Sequence, residues 1–292
     1  MAGARAQLTY SGPELYNAWM IRQLILLFMT LAAFLPAFAS DADLQQQLNG
    51  VCKDSSFVLR QPDASKDIEF DSQGNRLGTP KPAYWFENAA FRCSKVTAKN
   101  GDVRFEGQRL VLEYDVSQRD FVPRLLGKKV RVTIKNAGES AQITAVLRKL
   151  FLAKGENVRD AAPDYWQRFL HPELRDAVRA EYKLPKDEPK VRVVPNQTPN
   201  KPDGTTPPKA LYDPDPRYPK LAQKENKQAV SVLWVVIDRN GSPTAVTVVR
   251  PAGNGFDDMA AEAVKGWKFQ PATKEGFPVP VQVKIEVNFR LY

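Results

Sequence analysis

The sequence predicts an α+β protein. A mainly antiparallel β domain with C-terminal helices is joined by a Pro-rich linker to a smaller unit of β-β-α-β order. Three observations predict this. The chain closes on "VQVKIEVNFRLY", where Val281, Val283, Ile285, Val287, Phe289 and Leu291 are apolar and the residues between them are polar, the period-two pattern of a half-buried strand. Proline crowds the stretch from Lys183 to Pro219. Before it, short alternating runs are separated by turn-forming residues.

The 292 residues, 43% hydrophobic, suffice for more than one core. The net charge of +9 is dispersed, with Lys and Arg mostly interleaved with Asp and Glu. The densest basic piece, "GKKVRVTIK" (Gly127 to Lys135), reads as the wet face of a strand, so no nucleic-acid partner is expected. One histidine, His171, excludes paired-His metal motifs and reads as a structural or surface residue before Pro172. Two cysteines are too few for a four-ligand zinc site. No catalytic, cofactor-binding or metal site is expected.

Residues 1–39 read as leader and signal peptide. In "MIRQLILLFMTLAAFLPAFAS", Arg22 precedes an apolar run from Leu24 to Leu35, then Pro36 and the small-x-small triplet Ala37-Phe38-Ala39. That order predicts cleavage between Ala39 and Ser40. The alternative is an uncleaved N-terminal anchor, although the run is short against the about 20 residues of a spanning helix. Met1 to Trp19 would be an unusual leader, so translation is expected to start at Met20 rather than Met1. Either way the rest of the chain faces an oxidising, non-cytoplasmic space. There Cys52 and Cys93 are expected to form a disulfide, a stabilisation of about 3–4 kcal/mol in the loop-entropy picture.

Residues 41–184 read as the β-rich domain. A polar stretch from Leu44 to Gly50 leads to Cys52. Strands are expected at "SFVLR" (Ser56 to Arg60), "IEFD" (Ile68 to Asp71), "AYWFENAAFRCSKVT" (Ala83 to Thr97), "DVRFEG" (Asp102 to Gly107), "RLVLEYD" (Arg109 to Asp115) and "KKVRVTIK". Turns are expected at "DSQGN", "KNGD" and Gly107-Gln108. Ile143, Val146, Leu147, Leu150 and Phe151 have helical spacing, and a second helical piece, "APDYWQRFLHPELRDAVRAEY", is interrupted at Pro172. Tyr84, Trp85 and Phe86 read as buried strand packing. Residues 185–216 read as the linker, which favours extended conformers; roughly 30 such residues could span up to about 90 Å.

Residues 217–292 read as a compact unit. "VSVLWVVID" (Val230 to Asp238) is a central strand and "DRNG" a hairpin turn, with Asn240-Gly241 supplying positive φ. "TAVTVVR" (Thr244 to Arg250) returns. Asp257 is an N-cap candidate for "DMAAEAVKGW", with Asp258 in the first turn. Trp267 and Phe269 read as core packing between helix and sheet. "GNG" (Gly253 to Gly255) lacks the spacing and Lys of a phosphate loop.

This last unit resembles the C-terminal domain of the TonB family. The features stand in order: Tyr218-Pro219, Ala222, "VSVLWVVID", "DRNG", "VVRPAGNGFDDMAAEAVKGWKFQPA", "KEGFPVP" and the closing strand. Trp267-Lys268-Phe269 with Pro271 is the most specific part. The resemblance implies a two-layer β-β-α-β fold in the periplasm of a diderm bacterium. It also implies a partner, the TonB-box segment of outer-membrane TonB-dependent receptors, gripped by β-strand addition to an edge strand. The terminal strand is the candidate edge, and Gln282, Lys284, Glu286, Asn288 and Arg290 are the candidate partner-binding residues. In full energy transducers the resemblance implies an anchor coupled to an inner-membrane proton-driven complex. That anchor carries a membrane His, which Leu24 to Phe38 lacks.

Three readings of function follow. The first is a non-enzymatic periplasmic adaptor that grips a receptor segment. The second keeps the grip and adds an anchored, proton-driven transducer. The third is a carboxylate-based cell-wall hydrolase using Glu69, Asp71, Glu113 and Asp115, whose ordinary reading is a solvated strand face. Strand exchange at the terminal edge would also permit a homodimer.

Overall fold

The structure, a computed structural model, describes residues 41–53, 55–138, 140–153, 156–185, 191–193 and 205–291. The expected leader, the Met1 or Met20 start, the anchor run and the Ala39–Ser40 cleavage site lie outside the described residues. It is a mixed α and β chain.

The first part runs through α1 (Asp41–Cys52), β1 (Ser56–Val58), β2 (Asp67–Phe70), β3 (Arg76–Leu77), α2 (Trp85–Asn88), β4 (Ala90–Lys99), β5 (Asp102–Asp115), β6 (Asp120–Ile134) and α3 (Ser140–Leu150). Its six strands take the order β1-β4-β5-β6-β2-β3, antiparallel throughout except for the parallel β2–β6 pair. Leu44, Leu48 and Val51 give α1 a buried face, so the polar stretch is helical. Cys52 at its end is bonded to Cys93 on β4, with Cα atoms 5.4 Å apart. Between α1, α3 and the sheet, the rings of Phe57, Phe91, Phe105 and Phe151 pack with centroids 5.2 to 6.0 Å apart.

Two expected features are corrected. Tyr84 to Asn88 is a helical turn, not a strand, because the Asn88 side chain accepts the Tyr84 amide at 2.9 Å and closes it. Gly107-Gln108 is not a turn. β5 runs straight through, and Gly107 is needed where a Cβ would collide with the Arg92 carbonyl. A bulge follows between Gln108 and Leu110. It turns Arg109 inward, and the buried guanidinium donates to the carbonyls of Asp63 at 2.6 Å, Ser65 at 2.9 Å and Asn88.

The second part comprises α4 (Asp164–Leu170), α5 (Pro172–Glu181), β7 (Val191–Val193), β8 (Lys209–Tyr212), α6 (Lys220–Lys224), β9 (Ala229–Ile237), β10 (Pro243–Arg250), α7 (Phe256–Lys265), β11 (Lys268–Gln270), β12 (Ala272–Lys274), β13 (Phe277–Val279) and β14 (Val281–Phe289). His171 sits at the α4–α5 junction with Glu173 Oε1 3.3 Å from Nδ1. The β9–β10 hairpin is set by Asp238, whose Oδ1 accepts the amides of Asn240 and Ser242, each at 2.8 Å. Of Asn240 and Gly241, only Gly241 takes positive φ.

Residues on either side of the linker share one core. Val103 and Phe105 of β5 lie in the Phe-rich core, whereas Leu110, Leu112 and Tyr114 of the same strand lie with Trp85, Phe86, Trp166, Leu233, Val246, Phe256 and Met259. Tyr114 stacks on Trp166 at 4.8 Å, and Phe121 meets Trp166 edge-on at 5.3 Å. Polar bonds close the seam. Glu87, 3% exposed at its side chain, pairs with Arg217 at 2.8 Å and Lys220 at 3.5 Å. Arg168 donates to the Val246 carbonyl at 3.0 Å.

Asp258 lies inside this seam. Its Oδ1 accepts from Trp166 Nε1 at 2.9 Å and Tyr165 Oη at 3.1 Å. Burial pushes its carboxyl up to about 8, aided by the nearby Asp257 and Glu262 and opposed by the two donors. The unfolded carboxyl, near 3.8, releases its proton first. Asp258 therefore stabilises most at low pH, and its contribution is lost progressively as pH rises through the interval up to about 8.

Two outcomes are expected. Gly255, at φ 77°, would place a Cβ 2.5 Å from the Phe86 ring, whereas Gly276, at φ 84°, faces open space. Gly255→Ala should cost about 2–3 kcal/mol and Gly276→Ala about 1 kcal/mol by urea denaturation; equal costs would contradict the seam contact. Asp258→Asn keeps an acceptor for both donors and removes the titration. Between about pH 6 and about pH 8 its denaturation midpoint should fall less than that of the parent chain, and parallel falls would contradict the assignment.

Candidate functional site

The candidate site is the sheet ordered β10-β9-β14-β7. β9 is central, and its near-continuous apolar run suits a strand covered on both faces. β14 lies antiparallel to it over nine residue pairs, from Val281↔Ile237 to Phe289↔Ala229. On one face, Val283, Ile285, Val287 and Phe289 join Leu233, Val235 and Ile237 against Phe256, Ala260 and Val264 of α7. Trp267 and Phe269 are buried in the same core, and Trp267 Nε1 donates to the Pro214 carbonyl at 3.1 Å. Tyr218 closes the far end, its ring 5.6 Å from Phe256 and 5.7 Å from Phe289.

Asp257 does not cap α7. Gly255 occupies that position with left-handed backbone, and Asp257 turns back beneath the sheet. It accepts from Ser231 Oγ at 2.6 Å and from the amides of Ala252 at 2.8 Å and Gly253 at 2.9 Å. Burial raises its carboxyl to about 6 despite these donors. The GNG loop is thus tied to β9 through Asp257 and packed on Phe86 through Gly255.

The opposite face carries the polar row. Gln282, Lys284 and Glu286 stand beside Val236, Trp234 and Val232 in register and are half-buried; Asn288 and Arg290 are exposed. Lys284 Nζ lies 3.9 Å from Glu286 Oε1. α5 crosses this face, with the guanidinium groups of Arg179 and Arg175 over the Trp234 ring at 5.1 and 5.7 Å. That cover was not readable from the alternation in β14, because the helix belongs to the part before the linker.

The outer edge of β14 is not bare, as the sequence had implied. β7, from within the Pro-rich stretch, pairs with it in parallel: Val283↔Val191, Lys284↔Arg192, Ile285↔Val193. The signal was present as "KVRVV" (Lys190 to Val194), a β-branched island between Pro189 and Pro195. Further along the stretch, β8 pairs with β11, and Thr206 bridges to Thr273.

The four candidate acids are dispersed in structural roles. Glu113 Oε2 pairs with Arg124 at 2.9 Å and Glu69 Oε1 lies 3.7 Å from Lys135 Nζ. Asp71 Oδ1 accepts the amides of Gln73 and Asn75, each at 2.8 Å, and the Asn75 amide bond holds its carboxyl below the usual range. Asp115 Oδ1 accepts the Ser117 and Gln118 amides at 2.8 and 3.0 Å. An open cleft of about 500 Å³ beside the disulfide is lined by Lys53, Arg92 and Lys95 among others, and by none of these acids. Among the described residues, no group of three or more His, Cys, Asp or Glu side chains is placed to hold a metal. Nor is any helix among them long and apolar enough to cross a membrane.

Residues 214–291 match the family model described as Gram-negative bacterial TonB protein C-terminal. Protein TonB of Vibrio cholerae is 30% identical over 110 residues, which cover 33% of this chain and 45% of that protein. Protein tonB2 of Pseudomonas aeruginosa is 32% identical over 82 residues, covering 28% and 30%. Protein TonB of Xanthomonas campestris pv. campestris is 35% identical over 77 residues, covering 26% and 34%. The chain therefore spans less than half the length of these curated relatives. The solution NMR structure of the Pseudomonas aeruginosa TonB CTD is similar at 20% identity, with a TM-score of 0.27, covering 35% of this chain and 95% of that one. The unit that carries β9, β10, α7 and β14 is a C-terminal domain of the TonB family.

Proposed function

We propose that this chain is a periplasmic adaptor whose β14 edge takes up an extended segment, the TonB box, of an outer-membrane TonB-dependent receptor. The observation that carries the reading is the β14–β7 pairing: an extended segment already seats on that edge through its backbone. Strand addition needs such an edge, with main-chain hydrogen bonds for affinity and neighbouring side chains for selectivity. The side chains beside the edge are Gln282, Lys284, Glu286, Asn288 and Arg290. The other edge strand, β10, is closed by α4 through the Arg168 bond to Val246, which leaves β14 as the place for a partner. The role is one of binding rather than catalysis. A second copy of the chain would use the same edge for strand exchange and form a homodimer.

A second reading is favoured by the apolar run from Leu24 to Leu35. Left uncleaved before Ser40, it would anchor the chain in the inner membrane, facing the periplasm, for coupling to a proton-driven complex there. Fractionation of cells separates the two: recovery in the soluble periplasmic fraction supports the adaptor, and recovery with the inner membrane supports the anchored transducer.

Labelled N-terminal peptides of TonB-dependent receptors should raise fluorescence anisotropy saturably when titrated with the full chain. Peptides N-methylated at alternate amides lack ladder donors and should bind at least about tenfold more weakly, since each lost bond is worth about 1 kcal/mol. Glu286→Lys should reorder the preference among peptides while near-UV circular dichroism stays unchanged. Binding indifferent to N-methylation would contradict strand addition, and unfolding by Glu286→Lys would contradict the assignment of the two faces.

A further inference from the structure

We propose that Val191–Val193 is a resident competitor for the β14 edge, so that the chain's own linker holds the receptor site closed until a partner strand displaces it. The proposal rests on the reading of β14 as the strand-addition edge and adds its regulation.

Three features carry it. The segment occupies part of the first half of β14, opposite Val283, Lys284 and Ile285, on the same edge that an added strand would use. Its sequence is set apart from its surroundings. Val191, Val193 and Val194 favour extended pairing, and Pro189 and Pro195 bracket them. Proline has no amide donor, so Pro195 cannot prolong the ladder, and the contact stays short enough to exchange. Its delivery is also local. α5 packs over Trp234, the β9 neighbour of Lys284, and ends at Glu181, with β7 beginning at Val191 in the same stretch of chain. A tethered segment competes at an effective concentration of about millimolar, enough to oppose a micromolar ligand.

The part of the chain before the linker thereby acquires a role. Its C-terminal helices carry the competitor to the edge. If the segment is docked about nine-tenths of the time, the open fraction is about a tenth and the apparent affinity for an external strand falls about tenfold.

The test uses the full chain with Val191→Pro and Val193→Pro together, beside the parent, titrated with one labelled receptor N-terminal peptide. Near-UV circular dichroism of the tryptophans verifies the shared core, and sedimentation reports self-association. The proposal expects the substituted chain to bind about tenfold more tightly with the core intact. Equal or weaker binding than the parent overturns the proposal while leaving the receptor reading in place. Self-association without any gain in peptide affinity also overturns it, because β7 would then only shield the edge against other copies. Absence of peptide binding by both chains sinks the receptor reading and the competitor with it.

Discussion

The structure depends on the core gathered around Trp166. That side chain is fully buried between Tyr114 and Phe121 of the first sheet and Asp258 of α7. It converts what the Pro-rich stretch would otherwise separate into one packed body. The consequence for the TonB-type domain is geometric. α4 closes the β10 edge and α5 covers the Trp234 face, while α7 covers the other face. Among the described residues, the outer edge of β14 pairs with a short segment of linker.

That confinement gives the upstream part a physical meaning. The long β5–β6 hairpin, 14 and 15 residues per strand, begins in the Phe-rich core held by the Cys52–Cys93 disulfide and ends in the shared core. The disulfide ties α1 to β4 in the first core, and the paired strands of the hairpin reach from that core to Tyr114 and Phe121, which pack on Trp166. The buried Asp258 adds a polar element to the same seam. Apolar surface supplies most of the cohesion there, and the two donated hydrogen bonds fix which helix turn faces which.

Much of this was legible in the sequence where the cause is local. The alternation in β14, the Asp238-Arg239-Asn240-Gly241 turn and the helical spacing from Ile143 to Leu150 each depend on neighbours a few residues away. The cysteine pair was legible by count and by the compartment expected from the sequence. What was not legible depends on distant partners. Gly107 reads as a turn residue until the Arg92 carbonyl is seen against it, and Asp258 reads as a first-turn helix charge until Tyr165 and Trp166 arrive from 93 and 92 residues away. Tyr84 to Asn88 alternates poorly enough to pass for a buried strand, and one Asn side chain makes it a helical turn. At the candidate site the five polar residues were placed on one face by period alone. The cover over that face and the strand on its edge come from segments whose own patterns give helix and strand but not the distant sheet they pack against.

The account's central claim is that a receptor strand joins β14 and expels β7. Hydrogen–deuterium exchange of the full chain, with and without a saturating receptor N-terminal peptide, tests it most directly. The account predicts slower exchange confined to β14, faster exchange at Val191–Val193, and no change in β10 or the shared core. Slowed exchange on β10 or on the first sheet, with β14 and β7 unaltered, would contradict it.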